Sequence, residues 1–382
     1  MQSSGSRPPE KASRAIDFKA FFKKNAVLVI AFCAAVISSF LIPPGKEYLG
    51  YFDVKTLCCL FATLAVVCAL KNIRFFSILA GQIIQWTGNS RLAALTLIYI
   101  TFIGSMLIAN DMALITFLPL GYYVFSTTDR SEEVATVFIL QNIAANLGGM
   151  LTPFGNPQNL YLYSHYQIPT GEFMGIMFPP FLAAILLVSL CCLLIPRHSL
   201  RITKKQASLP VHRTILYLIL FSLTILMVFR VLPVWLVMAA VIFGLLILDR
   251  KAFLMVDYGL LLTFVCFFVF SGNMGRVPAV RAFFSDLLDK NTLLTSVFSC
   301  QVISNVPSAI LLSQFTENYT SLLTGVNIGG AGTLIASLAS LITFREYTSH
   351  YRSATKAYIL KFSLLNFGFL FVLTVFSMIL GR

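Results

Sequence analysis

Two polar pairs interrupt otherwise apolar chain. Asn110-Asp111 divides the stretch 92–125, and Ser304-Asn305 divides the stretch 292–316. A carboxylate at bilayer depth costs about 2.5–3.5 kcal/mol on insertion scales, so such a group usually marks a pathway, a proton relay or an ion partner. Asp111 is therefore a candidate cation ligand or exchanged-proton site, and the competing reading is a helix cap for the arm that follows it. Asn110, Ser304 and Asn305 offer neutral donors and acceptors, which suit both an anion and its coupling ion. Asn305 precedes Val306-Pro307. A Pro near the first helical position starts a return helix, with Ser304 or Asn305 as its cap.

A second kind of interruption lies in Gly148-Gly149-Met150-Leu151-Thr152-Pro153-Phe154-Gly155-Asn156-Pro157, where three Gly and two Pro fall inside one apolar segment. Interior Pro costs a helix about 3 kcal/mol and Gly about 1. An unwound stretch frees carbonyls for a cation and aims half-helix N-termini at an anion. Gly329-Gly330-Ala331-Gly332-Thr333 is its counterpart, for which close helix packing through small residues is the competing reading. The two runs align without gaps from Asn146–Leu160 onto Asn327–Leu341. Asn, Gly, Gly, Thr and Leu coincide, while Asn156 and Asn159 fall opposite Ser337 and Ser340. Candidate substrate-binding residues are thus Asn110, Thr152, Asn156, Asn159, Ser304, Asn305, Thr333 and Ser337. Candidate coupling residues are Asn110, Asp111, Gly149, Asn305 and Gly330.

These residues need an unusual solvent around them. The chain has 382 residues, 58% hydrophobic and 11% charged, with mean hydropathy +0.84. A soluble domain carries about 25% charged residues, so this chain requires lipid. A lipid-embedded backbone must satisfy its own hydrogen bonds, in helices or closed barrels. Unbroken apolar runs such as Ala26–Ile42 and Leu57–Leu70 lack the alternation of barrel strands. An all-α polytopic membrane protein follows.

Spans are expected at 26–42, 53–70, 134–162, 173–195, 214–230, 234–249, 257–271, 326–344 and 362–380. The stretches 92–125 and 292–316 are expected as re-entrant hairpins, since Leu293–Ser304 is only about 18 Å of helix. For the first hairpin an alternative stays open: its arm from Leu92 is long enough to cross, which would put Asn110-Asp111 at a membrane surface. The order span, span, amphipathic Phe-Phe-Ser stretch, hairpin, broken span, span occurs at 26–195 and again at 234–382, starting on opposite sides. The Phe-Phe-Ser stretches are 75–77 and 283–285. This is the pattern of an inverted-topology repeat, joined by 196–233, a basic loop and a linking span. With the arm 1–25 inside, the alternating connections hold 21 Lys and Arg inside and 7 outside. That bias predicts a cytoplasmic N-terminus in a plasma (inner) membrane.

The net charge of +13 is accounted for by this loop bias, and nucleic acid is not an expected partner. No Gly-x-x-x-x-Gly-Lys-Ser/Thr loop occurs, which argues against an ATP-driven pump, and no Ser/His/Asp set converges, which argues against an enzyme. A non-transporting scaffold would gain nothing evident from polar tips and unwound helices. The eight Cys are expected as buried free thiols, the four His fall in expected loops, and no metal site or cofactor is expected. Asp129, Arg130, Glu132 and Glu133 read as a solvated turn, and Arg276 and Arg281 as interfacial anchors.

Met150-Leu151-Thr152-Pro153-Phe154-Gly155-Asn156-Pro157-Gln158-Asn159 resembles the signature of the ion transporter superfamily, which includes divalent-anion/sodium symporters, citrate carriers and arsenite permeases. Its Gly-Asn-Pro-Gln-Asn is most similar to the bacterial YbiR-like group, assigned to anions. Asn110-Asp111-Met112-Ala113 and Ser304-Asn305-Val306-Pro307 sit where the family carries its hairpin tips. The resemblance implies a homodimer with scaffold and transport domains and elevator-like movement of the hairpins. In the sodium/dicarboxylate branch the tips read Ser-Asn-Thr, with Ser and Asn holding sodium and Thr meeting carboxylate. Here they read Ala109-Asn110-Asp111 and Ser304-Asn305-Val306, closer at the first tip to the arsenite-permease and antiporter branches. The expected function is a secondary transporter of a small inorganic or organic anion coupled to Na⁺ or H⁺. The alternatives are a cation/proton antiporter using Asp111 and an arsenite-type efflux permease.

Overall fold

The computed structural model describes residues 25–126, 131–199 and 208–381. Residues 1–24 of the basic arm, Asp129 and Arg130, and 200–207 of the basic loop lie outside the described residues. The described chain is helical, with one isolated bridge between Asn89 and Ser199. Its helices are α1 Ala26–Leu41, α2 Val54–Asn72, α3 Phe75–Ile84, α4 Ser90–Ile108, α5 Asn110–Ser126, α6 Ser131–Gly148, α7 Pro157–His165, α8 Thr170–Leu193, α9 Val211–Val228, α10 Val234–Leu248, α11 Lys251–Met255, α12 Tyr258–Arg276, α13 Pro278–Ile303, α14 Asn305–Leu312, α15 Tyr319–Ile328, α16 Leu338–His350 and α17 Thr355–Ile379.

The start of several helices is written in single residues. Asp53 accepts the amide of Thr56 at 2.9 Å, Asn89 that of Leu92 at 2.9 Å, Asp257 that of Leu260 at 3.0 Å and Asn318 that of Ser321 at 3.1 Å. Each satisfies one of the donors that a first turn leaves orphaned. α13 bends at Asn291 (φ −164°, ψ 97°). The Asn291 carboxamide accepts the Leu294 amide at 2.8 Å, so 278–290 is a separate stretch and 292–303 is the first arm of the second hairpin.

Seven described helices are long and apolar enough to cross a membrane, among them α2, α4, α8, α9 and α12. α1 and α10 are apolar but shorter, and their outward faces, with Phe40, Leu41, Phe243 and Ile247 exposed, suit lipid. The broken helices run wider than the apolar runs suggest, over α6–α7 and over α15–α16 from Tyr319 to His350. Their flanking turns contain polar residues that hydropathy alone excludes.

The two halves repeat each other in detail. Each has two helices joined through a short helical turn, Lys46–Tyr51 in one and α11 in the other, then an amphipathic stretch, a hairpin, a broken helix and a long helix. Phe75 and Phe76 meet edge to face at 5.1 Å, and Phe283 and Phe284 do so at 5.2 Å. α1 packs along α12, and α2 packs against α9, α10 and α11; α4–α8 and α13–α17 surround the two breaks.

Contacts between elements sort into two ends. At one, Asn72 donates to Asp249 at 2.8 Å, Ser90 to the Pro196 carbonyl at 2.6 Å, and Tyr122 stacks on His350 at 3.7 Å. At the other, Tyr166 donates to the Thr316 carbonyl at 2.7 Å, Tyr319 to Glu172 at 2.6 Å and Asn273 to Tyr48 at 2.8 Å. No pairing among these mixes the sides that the alternation of spans assigns. All eight Cys are free. Four depart from the expectation of burial: Cys33 is exposed on α1, where lipid tolerates a thiol, and Cys58, Cys191 and Cys266 are half-buried.

Candidate functional site

Both hairpins turn through one residue in the same strained conformation. Ala109 has φ 64°, ψ 149° and Ser304 has φ 79°, ψ 159°. A positive φ in a residue with a Cβ persists only where its surroundings enforce it. The enforcing contacts repeat. The Asn110 amide donates to the Gly155 carbonyl at 3.1 Å, and the Asn305 amide to the Ala336 carbonyl at 2.9 Å. Asn110 Oδ1 accepts the Asp111 amide and Asn305 Oδ1 the Val306 amide, both at 2.9 Å. Thr152 Oγ1 donates to the Met106 carbonyl at 2.7 Å, and Thr333 Oγ1 to that of Gln301 at 3.3 Å. In both halves that carbonyl lies four residues before the tip Asn, so each threonine ties a break to a hairpin arm.

The breaks then reach across to each other. Asn146 Nδ2 donates to Ser337 Oγ at 3.1 Å, and Asn156 Nδ2 donates to Asn327 Oδ1 at 3.1 Å. Asn146 and Asn327 are equivalent positions, as are Asn156 and Ser337, so the two bonds are one contact made twice. The first tip joins through Asn110 Nδ2, which donates to Asn146 Oδ1 at 3.1 Å. The second tip lies alongside: a methyl built on Gly330 would stand 3.2 Å from Asn305 Nδ2 and 3.8 Å from Asn146 Oδ1. Asn110, Asn156, Asn305, Gly330 and Ser337 therefore come together, with Thr152 and Thr333 bracing from behind.

This assembly lies well inside the molecule. The 13 residues of α16 separate it from His350 at one end, about 20 Å of helix, and the 9 residues of α7 from the other, about 13 Å. Asn110-Asp111 accordingly lies between the ends of the bundle.

Three sequence-level roles change. Asn159 is fully buried and acts as a clip: its Nδ2 donates to the carbonyls of Gly149, Met150 and Thr152 at 3.1, 3.2 and 3.2 Å. The Gly149 carbonyl, expected to be free for a cation, is thus already engaged. Gly149 also fits because a Cβ there would collide with Asn156 Oδ1 and the Gly155 carbonyl. Neither Ser304 nor Asn305 caps the return helix in the usual way. Ser304 Oγ donates to the Ala336 carbonyl at 3.2 Å, and no side chain caps α14, because the tip is held by the break. Asp111 Oδ1 is buried with no hydrogen-bond partner, so the cap reading of Asp111 has no bond to rest on.

Sequence reasoning did not select Asn146, Asn327 or Gln301 as site residues. Asn327 accepts from Asn156 and from Gln158 (3.4 Å) and donates to Asn159 Oδ1 at 2.6 Å and the Leu323 carbonyl at 2.8 Å. The available signal was its coincidence with Asn146 in the internal alignment. Gln301 donates to the Gly329 and Ala331 carbonyls at 2.8 and 3.1 Å and accepts the Thr333 amide at 2.9 Å. It does for the second break what Asn159 does for the first, from a different element. Gln301→Ala is expected to cost about 2–4 kcal/mol, since buried groups lose their partners at about 1–3 kcal/mol each. Thermal unfolding of the purified protein in detergent measures it, and an unchanged midpoint would mean that other groups can satisfy those atoms.

The acceptors left over give the site its polarity. Asp111 Oδ1, Asn156 Oδ1 and Gln158 Oε1 are buried oxygens without donors. Oxygen atoms in that condition suit a hard cation or a proton, while the amide Nδ2 groups and the N-termini of α5, α7, α14 and α16 suit an anion. No cluster of three or more His, Cys, Asp or Glu that could hold a metal occurs among the described residues. A cavity of about 370 Å³ lies elsewhere, at the end of the bundle beyond α7, and none of the tip residues lines it.

A family model described as citrate transporter matches residues 20–319. An uncharacterized transporter of Methanocaldococcus jannaschii is 32% identical over 305 residues, covering 78% of this chain and 82% of that one. The inner membrane protein YbiR of Escherichia coli is 29% identical over 320 residues, covering 80% and 84%. A silicon efflux transporter of Oryza sativa subsp. japonica is 31% identical over 172 residues, covering 44% and 33%. Among solved structures, the YdaH transporter of Alcanivorax borkumensis has a TM-score of 0.51 over 93% of this chain and 97% of that one at 14% identity, a likeness of fold.

Proposed function

Because the chain belongs to the citrate transporter family and is a multi-pass membrane transporter, we propose that it is a secondary active transporter of a small inorganic or organic anion, coupled to Na⁺ or H⁺. The observation that carries this reading is the pair of equivalent tips, each locked by its own break, meeting at Asn146 and Gly330. Such a site offers half-helix N-termini and amide donors to an anion, and unpaired oxygens to a cation, in one place. Substrate contacts are assigned to Asn110, Asn156, Ser304, Asn305 and Ser337, with Thr152, Asn159 and Thr333 holding the breaks in shape. Coupling is assigned to Asp111 with Asn110 and Asn305, and Gly149 and Gly330 make room for them. No cofactor beyond Na⁺ or H⁺ enters, and no chemical conversion of the cargo is involved.

The unequal cover of the two halves supports alternating access, here assigned to an elevator-type movement. Phe154 is 7% exposed and packs edge to face on Phe229 at 5.6 Å. Its equivalent, Ile335, is 51% exposed. Two equivalent positions in different surroundings are what one state of a two-state device requires, with the surroundings exchanged in the other state. The repeats 26–195 and 234–382 supply the hairpins and broken helices that move, α1, α2, α9, α10 and α12 form the frame, and the working unit is a homodimer in the plasma (inner) membrane. Purified protein in proteoliposomes tests the function. Uptake of citrate, other carboxylates and inorganic oxyanions should depend on an imposed Na⁺ or pH gradient and be lost in Asn305→Ala. Gradient-independent flux, or none with any anion, would overturn it. The unpaired oxygen of Asp111 favours a second reading, proton or cation exchange without an anion, which the same vesicles score by pH-dye release. The rice relative's cargo makes efflux the direction to include, with silicic acid and arsenite in the panel.

The orientation assigned is a cytoplasmic N-terminus. A cysteine placed at Ser208, between α8 and α9, should react with an impermeant maleimide only after the cells are opened. Labelling in intact cells would reverse the topology and put the Tyr122–His350 end outside.

A further inference from the structure

One arginine ties the linking span to the first break. α9 closes in a turn that usually places Gly at its left-handed position. Here the Arg230 amide donates to the Met227 carbonyl at 3.0 Å, the Val231 amide donates to that of Leu226 at 2.9 Å, and Arg230 has φ 62°. A residue with a Cβ is disfavoured there relative to Gly, so contacts of the side chain must hold it. Those contacts lie on α7. The Arg230 guanidinium stands 4.1 Å from the centre of the Tyr163 ring and donates to the Tyr163 and Ile168 carbonyls at 2.5 and 3.3 Å. These carbonyls belong to the last turn of α7 and the connection beyond it, the negative end of the helix, which suits a cation. The seat is itself held in place. Tyr163 is buried, its hydroxyl meets Thr170 Oγ1 at 2.7 Å, and its ring meets Phe173 edge to face at 5.8 Å. Phe229, next to the arginine, covers Phe154 in the break.

We propose that Arg230 is a positioning residue for the transport cycle: with Phe229 it grips the first break and α7 from the frame, and so weights the two-state balance toward the conformation seen here. The proposal rests on the alternating-access reading. The grip belongs to neither half, because α9 lies between the repeats. Carried three residues past Leu160, the internal alignment puts Phe344 opposite Tyr163. Phe344 meets Tyr358 of its own half at 6.1 Å, and Ile335, opposite Phe154, is half exposed. An inverted repeat relates two states by exchange of its halves, and a contact outside both halves favours only one of them.

The same exchange supplies reporters. In this state α2 packs on α7 and α12 packs on α14. Exchange separates α12 from α14 and brings the second break under the frame in place of the first. A methyl built on Gly275 of α12 would stand 3.7 Å from Gln314 Cβ, just past α14, within the separation of about 3.5–4.5 Å that a disulfide spans.

Membrane vesicles holding the full chain with Gly275→Cys and Gln314→Cys test this by oxidative cross-linking. Ile335→Cys is a second reporter, labelled with N-ethylmaleimide. Each site is read by peptide mass spectrometry, since the chain has eight cysteines of its own. Neither reporter requires the cargo to be known. Arg230→Gly suits the left-handed turn, so it is expected to fold, and its melting in detergent is the check. It should slow cross-linking at least about threefold as the observed state loses population, and should slow labelling of Ile335→Cys as well. Arg230→Lys keeps the charge without the planar fork and should fall between. Once the disulfide has formed in Arg230→Gly, labelling of Ile335→Cys should return to the wild-type rate. Unchanged rates in Arg230→Gly would overturn the grip and leave alternating access standing. Faster labelling of Ile335→Cys would make Arg230 a structural brace only, because loosening exposes that residue whereas a change of state covers it. A disulfide that fails to restore labelling would show the two reporters moving independently, which overturns the alternating-access reading and the grip with it.

Discussion

Asp111→Asn is expected to yield a folded, inserted protein whose transport has lost its dependence on pH or Na⁺, or has fallen at least about tenfold, the equivalent of roughly 1.4 kcal/mol of lost interaction. The substitution keeps the shape and removes the charge. Three observations favour a functional acid over a structural one. Its Oδ1 is buried with no hydrogen-bond partner. The side-chain bond at this helix start is made by Asn110 Oδ1, which takes the Asp111 amide, so the tip is held without the carboxylate. At the equivalent position of the second tip stands Val306, whose amide makes the same 2.9 Å bond to Asn305. The tip architecture therefore forms without an acid, and the acid at the first tip answers another need. Stability is expected to be unchanged or improved, since the buried charge is gone while the helix start is not. Uptake by wild type and variant across imposed pH and Na⁺ gradients measures the effect. Identical rates and gradient dependence would reduce Asp111 to a bystander.

Asn327→Ala is expected to have the largest effect on stability, about 3–5 kcal/mol, with loss of transport. Its carboxamide is a hub: Asn156 and Gln158 donate to its oxygen, and it donates to Asn159 and to the Leu323 carbonyl. All of these groups are buried. Removing the hub strands several polar atoms at about 1–3 kcal/mol each. Its equivalent Asn146, with bonds to Asn110 and Ser337, should behave alike on the other side of the same network. Melting in detergent together with substrate-induced stabilisation distinguishes the outcomes. A variant that melts as wild type does and still binds anion would show the two breaks to be independent, against the paired bonds described here.

Much of this was legible along the chain because lipid leaves few choices. A segment without water must pair its own backbone, so apolar length reads directly as helix, and a Gly/Pro-rich or Asn-Asp interruption reads directly as a break or a turn. Ala109 and Ser304 turn beside the polar pairs that marked the tips, and α6–α7 breaks within the Gly-Pro run. The internal alignment located the equivalent residues because the two halves solve one packing problem twice, down to the threonines that hold Met106 and Gln301.

Tertiary structure decided the rest. Which polar residues face one another depends on contacts between positions some 170–190 apart in sequence, such as Asn156 with Asn327 and Asn146 with Ser337, and no local pattern encodes that distance. Asn159 and Ser340 fall opposite each other in the alignment, yet one clips three carbonyls of its own break and the other accepts from Asn142 of the opposite half at 3.3 Å. Gln301 is one polar residue in an apolar arm until the second break folds over it and leaves carbonyls needing a donor. The cavity beside Lys55 belongs to this class too. Its walls come from four separate stretches of the chain, 50–55, 161–167, 268–272 and 310–314, which only the packing of the helices brings together.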